Sequence, residues 1–278
     1  MSDIAILTRP EGSNEVLTQR LAAAGWQVRD WPALTLATLA CDATALPLPR
    51  AYDLAVFVSG NAARHYLAQW RGAYLTGGPG NDGRGGANRH DASVAWPASC
   101  AVATVGPGSA AALRASGAFD GATLIHPGPD APSHDSEALW HELRRRGPLP
   151  RRVLIVRGTQ GRDWLAEQLR AAGVEVQAHA AYHRAPAQWD DAELAQLRAW
   201  RDQALRPTWL LTSGEGISAV LANVVRAGVL PWWRGCRFIV THPALARRMT
   251  DQEEVAEAAI SVHVPDNDAL FEAFVSAC

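Results

Sequence analysis

Two stretches of the chain share one pattern, and this pattern decides the fold. Residues 5–28 read AILTRPEGSNEVLTQRLAAAGWQV, and residues 153–176 read VLIVRGTQGRDWLAEQLRAAGVEV. Each begins with a short apolar run typical of a buried strand and continues with a segment of helical period. Gly25 and Gly173 then stand where a glycine commonly ends a helix, just before the next strand. The sequence therefore predicts two copies of a strand–helix–strand unit.

The repeat continues beyond this opening pair. Three further pairs of segments match in the same order along the chain: 53–68 with 208–222, 102–113 with 238–249, and 124–139 with 262–270. The first of these pairs is the strongest and aligns Ser59 with Ser213, whereas the last two are weak. Because short apolar runs alternate with helical segments throughout, the sequence predicts βαβ units and parallel sheets.

The linkers favour an exchange between the two copies. Segments 31–52 and 179–189 are extended and lack a helical period, so they can form a pair of connecting strands. Two consecutive domains are the alternative. With exchange, one domain comprises residues 1–36 plus 186–278, and an inserted domain comprises residues 40–182.

Residues 71–98 differ from the rest of the chain. They read RGAYLTGGPGNDGRGGANRHDASVAWPA, which is rich in Gly, Asn and Asp and has no period. This composition is typical of a flexible surface insertion. A lid over a binding site is the alternative function for such a segment, although its composition favours a plain insertion.

Composition and charge exclude several classes of protein. A net charge of −2 supplies no basic field for nucleic acid. The 4 cysteines are far apart and form no C-x-x-C motif, which indicates reduced thiols in a cytoplasmic protein and no metal site. The N-terminus resembles no signal segment, and no apolar run approaches the ~20 residues of a membrane helix. We therefore expect neither nucleic acid nor a membrane as a partner.

Several of these segments together resemble the uroporphyrinogen-III synthase family. The resemblance covers nearly the whole chain apart from residues 71–98 and rests on the order and spacing of the two repeat openings and of FVSGNAARHYL, VATVGPGSAAALRASG, AAYHRAP and LLTSGEGISAVL. It implies an α/β fold of two flavodoxin-like parallel-sheet domains joined by a two-stranded linker. The N-terminal unit would be exchanged into the C-terminal domain, so that the chain starts one domain, builds the other, and then returns.

The resemblance also implies an activity. Members of the family cyclise hydroxymethylbilane, a linear tetrapyrrole rich in carboxylates, to uroporphyrinogen III with loss of water. The last pyrrole ring is inverted through a spiro intermediate, and no metal or organic cofactor takes part. We expect a cytoplasmic monomer in tetrapyrrole (haem, sirohaem or cobalamin) biosynthesis, which could receive its substrate by transient hand-over from the preceding enzyme of the pathway.

Candidate substrate-binding residues lie at the ends of the predicted strands, where doubly wound sheets bind ligands. They are Thr8, Arg9, Ser59, Gly60, Asn61, Gly106, Ser109, Arg157, Thr212, Ser213, Gly214 and Thr241, with Arg64, Arg162 and Arg184 as further candidates. Ser59 and Ser213 stand at expected helix N-caps. Helix N-termini also attract carboxylates, so capping and substrate binding are both open. Glycine after each serine would let a ligand approach the backbone closely.

Tyr182 is the candidate catalytic residue. It ends the strand EVQAHAAY, and the family resemblance indicates a cleft-facing tyrosine at this position. A phenol is protonated at neutral pH and could donate a proton to the departing hydroxyl of the substrate. Ordinary half-buried packing in a strand is the alternative. Leu34 occupies the matching position of the other copy, so an apolar residue is acceptable there.

Two other classes of protein remain as alternatives. A non-catalytic two-lobed binding protein for an anionic small molecule would share the lobes and the crossings. A flavodoxin-like redox protein would need a Ser/Thr-rich phosphate loop after its first strand, which TRPEGSN at residues 8–14 does not supply. His126 and His242 are expected to be packing or surface groups, because their spacing does not suit a metal.

Overall fold

The computed structural model describes residues 3–75, 95–128, 131 and 133–276. The β-strands in these ranges are β1 Ile4–Leu7, β2 Gln27–Asp30, β3 Leu34–Thr38, β4 Leu54–Phe57, β5 Ala101–Thr104, β6 Leu124–Ile125, β7 Arg152–Gly158, β8 Glu175–Pro186, β9 Thr208–Leu211, β10 Arg237–Val240 and β11 Ile260–Val262. The α-helices are α1 Glu15–Ala23, α2 Gly60–Leu75, α3 Pro107–Ala115, α4 Ser136–Arg145, α5 Trp164–Ala171, α6 Asp191–Asp202, α7 Gly214–Ala227, α8 Leu230–Trp233, α9 Pro243–Asp251 and α10 Asn267–Ser276.

The chain divides into two compact units, and each unit has its own sheet. Unit 1 comprises Met1–Leu36 with Ala185–Cys278, and unit 2 comprises Ala37–Arg184. The first sheet has the strand order β11-β10-β9-β1-β2, and the second has the order β3-β8-β7-β4-β5-β6. Apart from β3, both sheets have the flavodoxin-like strand order 2-1-3-4-5. In the first sheet β1 is strand 1, and the order reads β2-β1-β9-β10-β11. In the second sheet β7 is strand 1, and the order reads β8-β7-β4-β5-β6. The predicted fold class is therefore confirmed, including the pairing of the first strand with the C-terminal strands.

Strands β1 and β9 form the centre of unit 1. All four residues of each strand are buried, and the two strands pair in parallel. Because side chains alternate along a strand, Ile4 and Ile6 belong to one core cluster and Ala5 and Leu7 to another. The first cluster is rich in tryptophan and includes Trp31, Trp189, Trp200, Trp209 and Trp233. The second holds residues of α1 and α10, namely Leu17, Leu21, Leu270 and Phe274.

Strands β4 and β7 form the centre of unit 2. They pair in parallel, and β4 is buried along its whole length. Leu54 and Val56 pack with residues of α4 and α5, namely Leu139, Trp140, Leu143, Leu165 and Leu169. Phe57 alternates to the other face and contacts aromatic residues there, including Tyr66, Trp96 and Phe119. A sheet that is covered on both faces requires the apolar strands seen in the sequence.

Strands β3 and β8 each cross the boundary between the units and lie side by side in the second sheet. The amide of Ala187 donates to the carbonyl of Ala33 at 2.8 Å, and the amide of Leu39 donates to the carbonyl of Ala181 at 3.0 Å. The partner number falls as the residue number rises, so these strands run antiparallel. The two extended segments therefore form the predicted two-stranded linker.

Two of the described helices, α6 and the one-turn α8, are missing from the sequence prediction. Helix α6 begins after Asp190, whose carboxylate accepts from the amide of Glu193, while the Glu193 carboxylate accepts from the amide of Asp190. This capping box is a sequence signal for a helix start. Leu194, Leu197 and Trp200 then lie three residues apart and are buried. Both signals are present in the sequence and identify α6.

Most of the segment predicted as an insertion, residues 76–94, lies outside the described residues. At its near end, residues 71–75 complete α2. At its far end, Trp96 is only 4 % exposed and donates through its indole N–H to the carbonyl of Cys100 at 2.7 Å. Both described ends therefore belong to the packed structure of unit 2. Among the described helices, none has the length and apolar character needed to cross a membrane.

Candidate functional site

The first switch point, where β1 and β9 end side by side, carries two predicted residues with structural contacts. The hydroxyl of Thr8 is buried and donates to the carbonyl of Leu210 at 2.5 Å, so it links the two strands. Ser213 caps α7, because its Oγ accepts from the amide of Gly216 at 3.0 Å. A serine hydroxyl that accepts from a helix N–H still has its own proton to donate. Ser213 can therefore cap the helix and bind a carboxylate.

Arg9 belongs to a partly buried polar network at the same edge. Its Nε donates to Oδ1 of Asn14 at 2.9 Å, and its Nη2 donates to Oδ1 of Asn267 at 3.1 Å. Asn14 is fully buried and donates to the carboxylate of Asp30 at 2.6 Å. Burial lowers the pKa of Arg9, an effect that Asp30 opposes. Burial also raises the pKa of Asp30, and its hydrogen bond from Asn14 works against this.

An arginine that sequence reasoning missed lies against the first turn of α7. Arg248 of α9 donates from Nη1 to the carbonyl of Gly214 at 2.6 Å and from Nη2 to Oγ of Ser218 at 2.7 Å. A Cβ at Gly214 would lie 3.1 Å from Nη1 of Arg248, so the glycine makes room for this arginine. Nearby, Thr241 donates to the carbonyl of Thr212 at 3.4 Å. No sequence motif indicated Arg248, because its contacts depend on the packing of α9 against α7.

The second switch point, where β7 and β4 end side by side, repeats the serine cap. Oγ of Ser59 accepts from the amide of Ala62 at 3.2 Å, at the start of α2. A Cβ at Gly60 would lie 3.0 Å from Cβ of Ala112, so this glycine allows α2 and α3 to pack closely. Asn61 is bonded through Oδ1 to Nη2 of Arg64 at 2.9 Å. The serine is therefore equivalent in the two copies, whereas the glycine after it faces different groups.

Gly106 and Ser109 lie at the start of α3, next along the second sheet. Gly106 is extended and precedes Pro107, the first residue of the helix. A Cβ at Gly106 would lie 3.0 Å from Cβ of His134, so the residue is restricted by packing. Ser109 is half-buried in the first turn of α3. His134 therefore limits the space beside this helix start, which lacks the serine cap of α2 and α7.

Arg157 binds the loop that follows its own strand. Its Nη1 forms an ion pair with Asp163, and its Nη2 donates to the carbonyl of Gly161 at 2.6 Å. Gly161 has a φ of +142°, and a Cβ there would lie 3.3 Å from Nη2 of Arg157. The guanidinium therefore fills the space that a side chain at Gly161 would need. This geometry parallels Arg9, which also bonds a residue of the following loop.

Tyr182 lies over the end of β7. The register of β7 and β8 shifts between Arg157 and Gly158, and Gly158 pairs with Tyr182. Such bulges are common beside active sites. Tyr182 is 6 % exposed, and its ring stacks on His65 with centroids 5.0 Å apart. Within the described parts of the chain, no hydrogen bond engages its phenol oxygen, so the O–H is available for a ligand.

The remaining candidates have protein partners. Both Nη atoms of Arg162 bind the carboxylate of Glu137, at 2.7 and 3.0 Å. Arg184 donates to the carbonyl of Gln160 at 3.5 Å. His126 lies between the carbonyl of Pro127 and the guanidinium of Arg114, and His242 caps α9 by accepting from the amide of Ala244. Across the described ranges, no cluster of His, Cys, Asp or Glu is suited to a metal ion.

These features define a class of protein. It has two doubly wound α/β units, and each presents serine-capped helix N-termini at the switch point of a parallel sheet. The family model for uroporphyrinogen-III synthase HemD matches residues 15–272. The uroporphyrinogen-III synthases of Salmonella typhimurium and Escherichia coli are 28 % and 26 % identical to this chain, and each match covers 96 % of this chain and 98 % of the relative.

A solved structure shows the same fold. The crystal structure of uroporphyrinogen-III synthetase from Helicobacter pylori 26695 matches 100 % of this chain and 100 % of its own, with a TM-score of 0.55 and 13 % identity. The family model alone covers most of the chain. The chain therefore belongs to the uroporphyrinogen-III synthase family.

Proposed function

We propose that the protein is a uroporphyrinogen-III synthase, a hydro-lyase that cyclises hydroxymethylbilane with loss of water and inversion of the last pyrrole ring. The observation that carries this proposal is the family match over residues 15–272. The protein acts in tetrapyrrole biosynthesis and needs no cofactor for this reaction. Catalysis comes chiefly from folding a flexible substrate so that the substituted carbon can attack, which is an effect of orientation.

The carboxylates of the substrate bind at the carboxyl ends of the strands. The hydroxyls of Ser59 and Ser213 donate to them, assisted by the first N–H groups of α2 and α7 and by the positive ends of the helix dipoles. Arg9 and Arg157 add positive charge beside these helices. The other proposed binding residues line the same strand ends: Thr8, Gly60, Asn61, Gly106, Ser109, Thr212, Gly214 and Thr241.

Tyr182 acts as the general acid. Its phenol donates a proton to the substrate hydroxyl, which departs as water while the pyrrole nitrogen supplies the electron pair. The substituted carbon of the last ring then attacks the resulting cation and forms the spiro intermediate. The bond from this carbon to its original methylene bridge breaks, and the methylene cation bonds to the free α-carbon of the same ring. That carbon loses its proton, which returns the pyrrole to its aromatic form and completes the inverted macrocycle. Tyr182→Phe should lower kcat about 10²-fold, because a positioned acid contributes that much or more. A wild-type kcat in a folded variant would remove Tyr182 from the mechanism.

The physiological setting is part of the proposal. The enzyme is a cytoplasmic monomer that receives hydroxymethylbilane by transient hand-over from the enzyme that produces it. Its functional domains are residues 1–36 with 186–278 and residues 40–182. Within the segment predicted as an insertion, residues 76–92 are dispensable for activity.

A coupled assay tests the function directly. Hydroxymethylbilane is generated enzymatically, the purified protein is added, and the macrocyclic products are oxidised and separated by isomer. The proposed enzyme yields isomer III. A non-catalytic binding protein would leave only the symmetric isomer I, which forms by uncatalysed closure. The Ser59→Ala and Ser213→Ala variants should keep isomer III as the product but raise KM.

A further inference from the structure

Two small groups restrict the ring of Tyr182. Gly158 lies so close that a Cβ on it would be 3.0 Å from Cζ and 3.3 Å from the phenol oxygen of Tyr182. His65 stacks its imidazole on the ring, with centroids 5.0 Å apart and planes 24° apart. Because a backbone and a short, rigid ring form these contacts, neither can easily shift to follow the phenol. The ring of Tyr182 therefore has little freedom to tilt.

His65 is held in turn by β3. Its Nδ1 is 2.8 Å from Oγ1 of Thr38, and the residue is 7 % exposed. The other ring nitrogen, Nε2, is buried, and none of the described residues bonds it. An unbonded buried nitrogen is destabilising, so packing alone would favour an apolar ring at this position. The bond to Thr38 gives the imidazole a fixed orientation that an apolar ring would lack.

We propose that His65 is a positioning residue: held by Thr38, its imidazole orients the phenol of Tyr182 towards the leaving hydroxyl of the substrate. This inference rests on the proposed function. His65 neither gives nor takes a proton in this role, because stacking is the contact that joins the two rings. It acts on the reaction only through Tyr182.

A double-mutant cycle separates positioning from a general structural effect. His65→Ala should lower kcat for isomer III about tenfold and change KM less than about twofold, since a small misplacement of a reacting group slows the reaction strongly. In the Tyr182→Phe background the same change should lower kcat less than about twofold, because the hydroxyl to be oriented is already absent. Equal losses in both backgrounds would overturn the proposal. So would a Tyr182→Phe variant with wild-type kcat.

Phe119→Leu is the matched control. Phe119 has the same 7 % exposure as His65, lies in the same unit, and contacts Phe57 and Trp96. Its effect on kcat should be the same with and without the Tyr182 hydroxyl. Two graded variants follow from the contacts: His65→Phe should retain part of the rate by keeping a stacked ring, and Thr38→Val should reproduce part of the loss. A Thr38→Val variant with wild-type kcat would contradict the proposed bond to Thr38.

A spectroscopic test does not depend on turnover. The chain has 4 tyrosines, so labelling them with ¹³C at Cζ gives few resonances. The resonance that disappears in Tyr182→Phe belongs to Tyr182. His65→Ala should shift this resonance, because it removes the ring current of the stacked imidazole, whereas Phe119→Leu should not. An unshifted resonance would overturn the contact and the proposal. If the shift occurs but the wild type forms no isomer III, the proposed function is wrong. The stacking contact of His65 then stands, but its proposed role in orienting a general acid is overturned.

Discussion

Two arginines at the ends of buried strands, Arg9 and Arg157, bond to the loops that follow those strands, and both are residues of the proposed site. Each bonds a residue of the loop that follows its own strand, Asn14 in one copy and Asp163 in the other. These bonds hold the guanidinium still, so its charge stays at the strand end. A fixed guanidinium binds a carboxylate with less loss of conformational entropy than a mobile one. Replacing either arginine should therefore affect loop stability and substrate binding together.

Two glycines at the start of α3 should respond oppositely to alanine. In Gly106→Ala the new Cβ would lie 3.0 Å from Cβ of His134, and crowding of this kind costs about 1–3 kcal/mol. At Gly108 a Cβ would meet nothing within 4 Å, so Gly108→Ala should stabilise the helix by roughly 0.5–1 kcal/mol. Urea unfolding of the two variants measures the difference. Equal stabilities would contradict the close approach of His134.

A buried histidine, His65, and a half-buried one, His179, predict acid destabilisation. Burial lowers the pKa of His65, assisted by the charge of Arg64, and burial also lowers the pKa of His179. The folded state therefore prefers both rings neutral, whereas the unfolded chain takes up protons near pH 6.5. Their contribution to stability is complete above about pH 6.5 and decreases as the pH falls towards the folded pKa.

The slope of stability against pH tests this. Urea midpoints should fall between about pH 6.5 and 5, and His65→Phe should fall less steeply because one titrating group has been removed. Phe119→Leu supplies the control, since it changes an equally buried side chain that does not titrate and should retain the wild-type slope. A His65→Phe variant with the same slope as the wild type would show that His65 does not contribute.

At the scale of elements, both switch points have the same local arrangement of strand and helix. Helices α2 and α7 each begin directly after a buried strand, and a serine caps each of them. A capped helix start satisfies one backbone N–H and leaves others directed at the strand end. The two copies therefore share one arrangement of buried strand, serine cap and helix.

Ser213→Ala should lower both stability and affinity, whereas Asp190→Ala should lower stability alone. Both side chains cap helices of unit 1, since Ser213 accepts from Gly216 and Asp190 from Glu193. Loss of either cap should cost about 1 kcal/mol in urea unfolding. Only Ser213 is placed in the proposed site, so only its variant should show a raised KM. An equal KM for both variants would make Ser213 a cap without a binding role.

The order of strands and helices could be predicted because their signals are local. Buried strands need continuous apolar runs, and the helices show a clear period, so the repeat was visible in the sequence. The glycines that end α1 and α5 have φ values of +89° at Gly25 and +83° at Gly173, as predicted. The contacts of His65 and Arg248 could not be predicted. They join segments far apart in the chain, and the motif FVSGNAARHYL, which includes His65, does not indicate which residues its imidazole contacts.

At the scale of the whole molecule, the linker explains how one repeat can be inserted into the other. Strands β3 and β8 pair, so the chain leaves unit 1 and returns to it through neighbouring strands. An insertion whose ends are close together disturbs the host least. Unit 1 is consequently discontinuous. Its strand β1 comes from the N-terminal segment of the chain and pairs with β9, which comes from the C-terminal segment. Folding of unit 1 therefore depends on two separate segments.

Fragments should reveal this dependence. Residues 37–184 contain β4 to β7, most of β8 and the helices of unit 2, so this fragment should unfold cooperatively in urea on its own. Residues 185–278 lack β1, which leaves β9 without a neighbour on one side, and this fragment should show no cooperative transition. Adding a peptide of residues 1–36 should restore a cooperative transition. It should also shift the tryptophan fluorescence to the blue, because the ring centroids of Trp31 and Trp189 are 5.3 Å apart in the folded unit. A cooperative transition of residues 185–278 alone would show that β1 is dispensable for the core of unit 1.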